Sequence, residues 1–420
     1  MPDSQPIPAT MRALVLSGTG FANLAVREIP VPRPGPEQIL ARVDAAGICT
    51  SLIKIVEQGP AHSQLYGWDL ARFPLILGDE GAVTLVEVGE KLKKAFRPGQ
   101  RCVVQPAVDH APVNHLERYR DGGRGVAKVA VGYTLPGHLA EYILITEETL
   151  RAGCLLPLPD PKMPAAHAAA AEPISCCVSA QAHHMRLEQT SPGAPRTARP
   201  GLKPGGLTVI LGAGAMGRMH ADVALSAGPR AVVIADLVPE RLSLSERLFA
   251  ARAAKKGIAF HAVKNEGGAL AALVERLSDR RGADDVIVAV GSRAAIEEGQ
   301  KLCARGAVLD LFGGLKKGED VVGLETGIVH YREINVTGSS GGSPWDVARA
   351  LELMSSGNID PAAHITRVGD LEHAAEFLRA IRERELDGKA VVYPHRRTAE
   401  IRAVERWTAD DEREWLGTGT

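Results

Sequence analysis

Aromatic residues are scarce in this 420-residue chain, at 4% of the total, which leaves little material for the base-stacking platforms that single-stranded nucleic acids require. An excess of charge is missing as well. The 49 Lys and Arg are matched by 50 Asp and Glu, for a formal net charge of −1 at pH 7, so no polyanion-binding field is implied. Long apolar runs are absent: stretches such as 207–216 and 285–290 are interrupted by glycine or charge and fall short of the ~20 residues of a membrane span. The six cysteines, at 49, 102, 154, 176, 177 and 303, are too thinly spread for a disulfide framework. Residues 1–10 are polar and proline-rich, without the basic and then apolar stretches of an export signal. These absences predict a cytoplasmic protein with neither a nucleic-acid nor a membrane partner.

What is present is an ordinary globular composition, 45% hydrophobic, over a length that predicts two domains. Up to about Asp160, short β-branched runs separated by Gly and Pro (11–16, 38–43, 81–88 and 101–105) read as strands of an irregular β-rich domain. Residues 191–206, rich in Pro, Gly, Ser and Thr, read as a loop or linker. From Leu207 the pattern becomes strand, turn, helix, strand, the alternation of a parallel sheet with helices on both faces. Helical patterns over 345–355 and 371–385 precede a terminal strand at 388–393, and the charged tail from 396 is helix-like around 401–415. The expected fold is α/β, with a doubly wound parallel sheet beside the β-rich domain. The expected boundaries are 1–185, 186–343, 344–395 and a tail at 396–420.

Gly212, Gly214 and Gly217 directly follow an apolar run and open a helical pattern. The first glycine permits a tight turn, the second lets backbone approach a pyrophosphate, and the third allows close packing of helix on strand. With Ala215 and Met216 they place a helix N-terminus against phosphate charge. The next strand ends at Asp236, at the distance where a carboxylate accepts hydrogen bonds from the adenosine ribose. An acid there repels a 2′-phosphate and favours NAD, although Arg241 lies close by in sequence. Val290 and Gly291 end a further strand, where strand termini bound a cofactor crevice in open α/β sheets.

Three further pieces stand in order: Gly47 to Ser51 around Cys49, Leu77 to Gly81 around Asp79 and Glu80, and Ala171 to Pro173 around Glu172. One thiolate with several carboxylates is a donor set for zinc, with a position left for water or substrate. Spacing alone does not single out a metal. These pieces, together with residues 96–104, the Gly137 to Tyr142 segment and the glycine turn, resemble the zinc-containing alcohol and polyol dehydrogenases of the medium-chain dehydrogenase/reductase superfamily, nearest the sorbitol and sorbose-type branch. The similarity covers nearly the whole chain to about Pro394.

The resemblance implies a GroES-like catalytic domain built from both ends of the chain, with a Rossmann domain inserted between them. It assigns Cys49, Asp79, Glu80 and Glu172 to the neighbourhood of one catalytic zinc, with Glu80 also a catalytic acid. Ser51 corresponds to the hydroxyl that passes the substrate proton, and Lys54 stands where many relatives place a proton-relay histidine. The implied activity is zinc-assisted, NAD-dependent oxidation of a secondary alcohol on a small polar polyol, cyclitol or sugar, with or without phosphate, by a homodimer or homotetramer. Lys54, Gln58, His62 and Tyr66 are candidate substrate contacts, and residues 334–338 a candidate subunit contact.

Two departures bear on the mechanism: Asp79 replaces the usual histidine ligand, adding negative charge beside Cys49, and Leu52 replaces an acid. A zinc-free NAD(P)-dependent reductase and a non-catalytic NAD sensor are the alternative readings. No structural zinc is expected, because the four-cysteine lobe is missing; residues 107–136 carry Asp109, His110 and His115 instead. His183 and His184 read as packing or cofactor contacts.

Overall fold

A computed structural model describes residues 6–109, 113–315 and 318–417; His110 lies outside them. The chain forms two compact units, one made of Met1–Glu172, Ser343–Ser355 and Pro361–Thr420, the other of Pro173–Gly342 and Ser356–Asp360.

The first unit is built on an eight-stranded sheet whose central strand, Ile39–Ile48, is nearly all buried. It pairs antiparallel with Glu80–Val88 along its length, with Tyr142–Ile145 over its first half and with Lys389–Tyr393 at its end. Register shifts between Leu40 and Ala41 and between Val43 and Ala45 let one strand serve three partners, because a bulge re-aims the residues beyond it. The pairing sets Gly47 opposite Glu80 and Ile48 opposite Ala390, so residues from three distant parts of the chain converge beyond Ile48.

The tail belongs to this unit. Thr408 caps the helix Ala409–Leu416, and Trp407 and Trp415 are fully buried. The Glu412 carboxylate accepts the N–H groups of Ala165 and Ala166 at 2.6 and 2.8 Å and the Tyr393 hydroxyl at 2.7 Å. It thereby satisfies the free amides that begin the helix Ala165–Ala169.

The second unit carries a six-stranded parallel sheet ordered Ala259–Lys264, Ala231–Asp236, Leu207–Leu211, Ala283–Val288, Cys303–Asp310, Asn335–Thr337. Counted along the chain this is the order 3-2-1-4-5-6 of a dinucleotide-binding fold. The Leu207–Leu211 strand is wholly buried, which explains why it reads as a continuous apolar run and not an alternating one. The strand at 259–264 was not evident in the sequence, since its residues alternate weakly and stay half-exposed at the sheet edge. Part of the segment expected as a linker, Thr197–Pro200, pairs with Met185–Glu188 as a hairpin, because backbone pairing needs no hydrophobic periodicity.

His184 is fully buried in this unit, with Nδ1 2.8 Å from Asp285 and Nε2 3.4 Å from Asp310. Burial pulls its pKa down, but the hydrogen bonds and charges of the two aspartates outweigh that and raise it above the ordinary value. A base with a raised folded-state pKa contributes stability in full below its unfolded pKa, about 6.5 for histidine. That contribution is lost as pH rises through the folded value. Resistance of the second unit to urea should therefore fall as pH rises above about 6.5. His184→Asn should cost about 3–5 kcal/mol at pH 6 by stranding two buried carboxylates and should flatten the pH profile.

Candidate active site

The helix Ser51–Gln58 starts two residues after Cys49, with Leu52, Ile53, Ile55 and Val56 buried beneath it. Leu52 thus points into the core, where an acid would lack a partner. The next piece, Gly78–Asp79, turns through a glycine at φ +111°. A Cβ at Gly78 would lie 2.6 Å from the Leu139 amide nitrogen, so glycine is required by space as well as by conformation. Gly47 has a different reason: a Cβ there would sit 2.1 Å from Glu80 Oε2. Its absence gives the Glu80 carboxylate a place beside Cys49.

The ligand atoms of Cys49, Asp79 and Glu80 all lie within 4.8 Å of one another. Both carboxylates are buried, and Asp79 Oδ1 and Glu80 Oε2 have no hydrogen-bond partner. The other Glu80 oxygen forms a buried ion pair with Lys389, and breaking such a pair by removing one member costs about 3–5 kcal/mol. Desolvation and then the charges of Asp79 and Glu80 push the Cys49 thiol well up. Burial and Glu80 raise Asp79 to about 6, against a hydrogen bond from Ser51 and the charge of Lys389. A soft thiol and two carboxylates, each with an unpaired buried oxygen, form a donor set that fits a divalent cation of zinc's type, which relieves this repulsion.

Glu172, in the first turn of the helix Ala171–Ala182, acts electrostatically on Cys49 but is outside the close group of three. Ser51 Oγ donates to Asp79 Oδ2 at 2.7 Å. Lys54 is exposed, one turn along the same helix; burial, and after it the Lys54 charge, lowers the pKa of His62. Lys389 was not singled out from the sequence; its signal is a lone charge beginning the otherwise apolar run that ends at Tyr393.

In the second unit, Gly212 has φ +103° and Gly214 caps the helix Ala215–Ser226. A Cβ on Gly217 would lie 1.8 Å from the Gly212 carbonyl oxygen, whereas one on Gly214 meets nothing within 4 Å. The turn is therefore packed on its inner side and open where a phosphate would approach the helix N-terminus. Asp236 ends the neighbouring strand. Its carboxylate accepts from the Ala213 amide at 2.7 Å and from the Val238 amide at 3.0 Å, with Arg241 3.8 Å away. Val290 and Gly291 join this edge: the Cβ of Val290 would be 3.1 Å from a Cβ on Gly212, and Gly291 abuts the Gly314 carbonyl. Open space at Gly214 and the acid at the strand end fit a dinucleotide.

The family model for the alcohol dehydrogenase GroES-like domain matches residues 35–160, and that for zinc-binding dehydrogenase matches residues 215–356. The mannitol-1-phosphate 5-dehydrogenase of Aliivibrio fischeri is 30% identical over 384 residues, spanning 90% of this chain and 85% of its own. The chain belongs to the zinc-binding alcohol and polyol dehydrogenases. This dehydrogenase is also 27% identical over 362 residues to the L-sorbose 1-phosphate reductase of Klebsiella pneumoniae, covering 85% of this chain and 82% of that one. The 2R,3R-butanediol dehydrogenase of Bacillus subtilis shares the fold, with a TM-score of 0.73 at 19% identity over 92% of this chain and 100% of its own. As a family member the dehydrogenase is an enzyme that uses a nucleotide cofactor, and neither the zinc-free reductase nor the non-catalytic sensor is favoured.

Elemental analysis of freshly purified dehydrogenase should find about one zinc per chain. Cys49→Ala should lower retention through chelator dialysis by at least about tenfold.

Proposed function

We propose that this dehydrogenase is a cytoplasmic homo-oligomer, dimer or tetramer, that oxidises a secondary alcohol of a phosphorylated polyol or sugar with NAD, using one catalytic zinc. The observation that carries this reading is the group formed by half-buried Cys49 with buried Asp79 and Glu80, with the Ser51 hydroxyl bonded to Asp79. Glu172 completes the proposed zinc neighbourhood. When bound, the metal supplies Lewis acidity toward the alcohol oxygen and nicotinamide supplies the hydride acceptor. The chain's own residues handle the proton: Ser51 Oγ takes it from the substrate hydroxyl as it passes its own hydrogen to Asp79 Oδ2, and Lys54 offers an ammonium to a hydroxyl or phosphate. Lys389 offsets the negative charge that Asp79 adds in place of a neutral imidazole. Two of the three similar proteins described above are named for sugar or polyol 1-phosphates, which supports a phosphorylated substrate.

Asp236 supports NAD, since a carboxylate at the ribose repels a 2′-phosphate. An oligomer is supported by the Asn335–Thr337 strand at the sheet edge, where Val336 is exposed. No helix among the described residues is long and apolar enough to cross a membrane.

Initial rates with hexitol 1-phosphates, hexitols and simple alkanols test the substrate. The phosphorylated polyols should lead in kcat/KM by at least about tenfold, and a preference for alkanols overturns the reading. Separately, Asp236→Ser should shift the ratio of kcat/KM for NAD over NADP toward NADP by about 10- to 100-fold.

A further inference from the structure

His138 lies in the Gly137 to Tyr142 segment but is no part of the donor set at Cys49, Asp79 and Glu80. It is fully buried all the same. Gly81 lets the ring in: a Cβ there would lie 2.3 Å from His138 Cδ2, so the imidazole rests on the residue that follows Glu80.

The ring is aimed at the turn that carries Asp79. Its Nδ1 lies 3.1 Å from the Gly78 carbonyl oxygen, and the His138 amide donates to the same oxygen at 2.9 Å. A carbonyl oxygen only accepts, so Nδ1 carries the hydrogen and both contacts are donations. Burial lowers the pKa of His138 to about 4, against the hydrogen bond to Gly78, which keeps the ring neutral near pH 7. Nε2 is then a bare lone pair, buried with no hydrogen-bond partner among the described residues. Packing alone does not account for such a residue, because an apolar side chain of similar volume would fill the space without stranding an acceptor.

Any residue at 138 other than proline supplies the amide; only the ring supplies the second donor. That donor matters because of what Gly78 is. The close approach of Leu139 demands glycine there, and glycine leaves the backbone freest to rotate at the joint just before Asp79. The Gly78 carbonyl and the Asp79 amide belong to one planar peptide unit. Both lone pairs of that carbonyl are engaged, and Gly132 packs so closely on it that a Cβ at 132 would lie 2.4 Å away. The unit is held from turning, and with it the direction in which Asp79 leaves the backbone.

We propose that His138 is a positioning residue for the metal site: its Nδ1–H locks the Gly78–Asp79 peptide and so holds the Asp79 carboxylate in place as a ligand beside Cys49 and Glu80. The inference rests on the zinc-dependent reading above. Ser51 restrains the far end of the same side chain through Oδ2 at 2.7 Å, so the carboxylate is tethered at both ends with Oδ1 left unpartnered. An Asp79 loose at its backbone end would keep Ser51 but offer Oδ1 in several orientations, and metal affinity would fall.

His138→Leu keeps the backbone amide and the apolar bulk and removes the ring donor, whereas His138→Asn restores a side-chain N–H at about the reach of Nδ1. In competition with a chromophoric chelator, the zinc dissociation constant of His138→Leu should rise about 10- to 100-fold, and that of His138→Asn should return to within about threefold of wild type. Cobalt-substituted proteins should follow the same order, with the ligand-field bands of the leucine variant shifted and those of the asparagine variant matching wild type. NADH affinity by fluorescence should stay the same throughout. Unchanged zinc affinity in His138→Leu overturns the proposal, as does an equal loss in both variants, which marks the ring as packing alone. If His138→Leu does not fold, nitrogen-15 NMR of histidine-labelled wild-type protein, assigned with His138→Asn, decides: a hydrogen on Nδ1 supports the proposal and one on Nε2 overturns it. Wild-type protein that binds no zinc refutes the reading on which the inference rests, before any variant is compared.

Discussion

The buried ion pair between Glu80 and Lys389 joins residues more than three hundred positions apart and sets the charge balance of everything around it. Asp79 and Glu80 crowd two buried carboxylates beside the Cys49 thiol. One lysine, 6% exposed, stands against them. The pair forms because the Ile39–Ile48 strand takes Glu80–Val88 on one side and Lys389–Tyr393 on the other. Strand register is therefore the means by which this site is assembled: a slip of one residue would turn Glu80 and Lys389 to opposite faces.

Aspartate at position 79 changes the economy of the site. A neutral imidazole would leave Glu80 and Lys389 nearly balanced, whereas Asp79 adds a carboxylate whose proton affinity is raised by burial and by Glu80. Ser51 answers part of this by donating to Asp79, so the residue that departs from the family pattern also orients the hydroxyl proposed to handle the proton. The tail contributes at a distance: Glu412 caps the helix Ala165–Ala169, shortly before Glu172.

Much of the nucleotide-binding unit was legible in the sequence, because its signals are local. Glycine spacing, a continuous apolar run and an acid at the next strand end report on a turn, a buried strand and a carboxylate beside that turn within some thirty residues. The weakly patterned strand at 259–264 escaped notice, since an edge strand needs less burial. In the catalytic unit Cys49, Asp79 and Glu80 stood out through resemblance, yet Lys389 did not. It is a single charge beginning an apolar strand, and nothing near it in sequence points to the site.

The order of residues alone determined the α/β class, the glycine turn with its acid, and the donor types available to a metal, because each depends on neighbours along the chain. Tertiary structure alone decided which donors meet. Glu172 stays outside the close group, Lys389 enters it as counter-charge, and Ser51 finds Asp79. Electrostatic interaction and hydrogen bonding act through space over a few ångströms, and strand pairing, not sequence distance, decides which side chains come within that range.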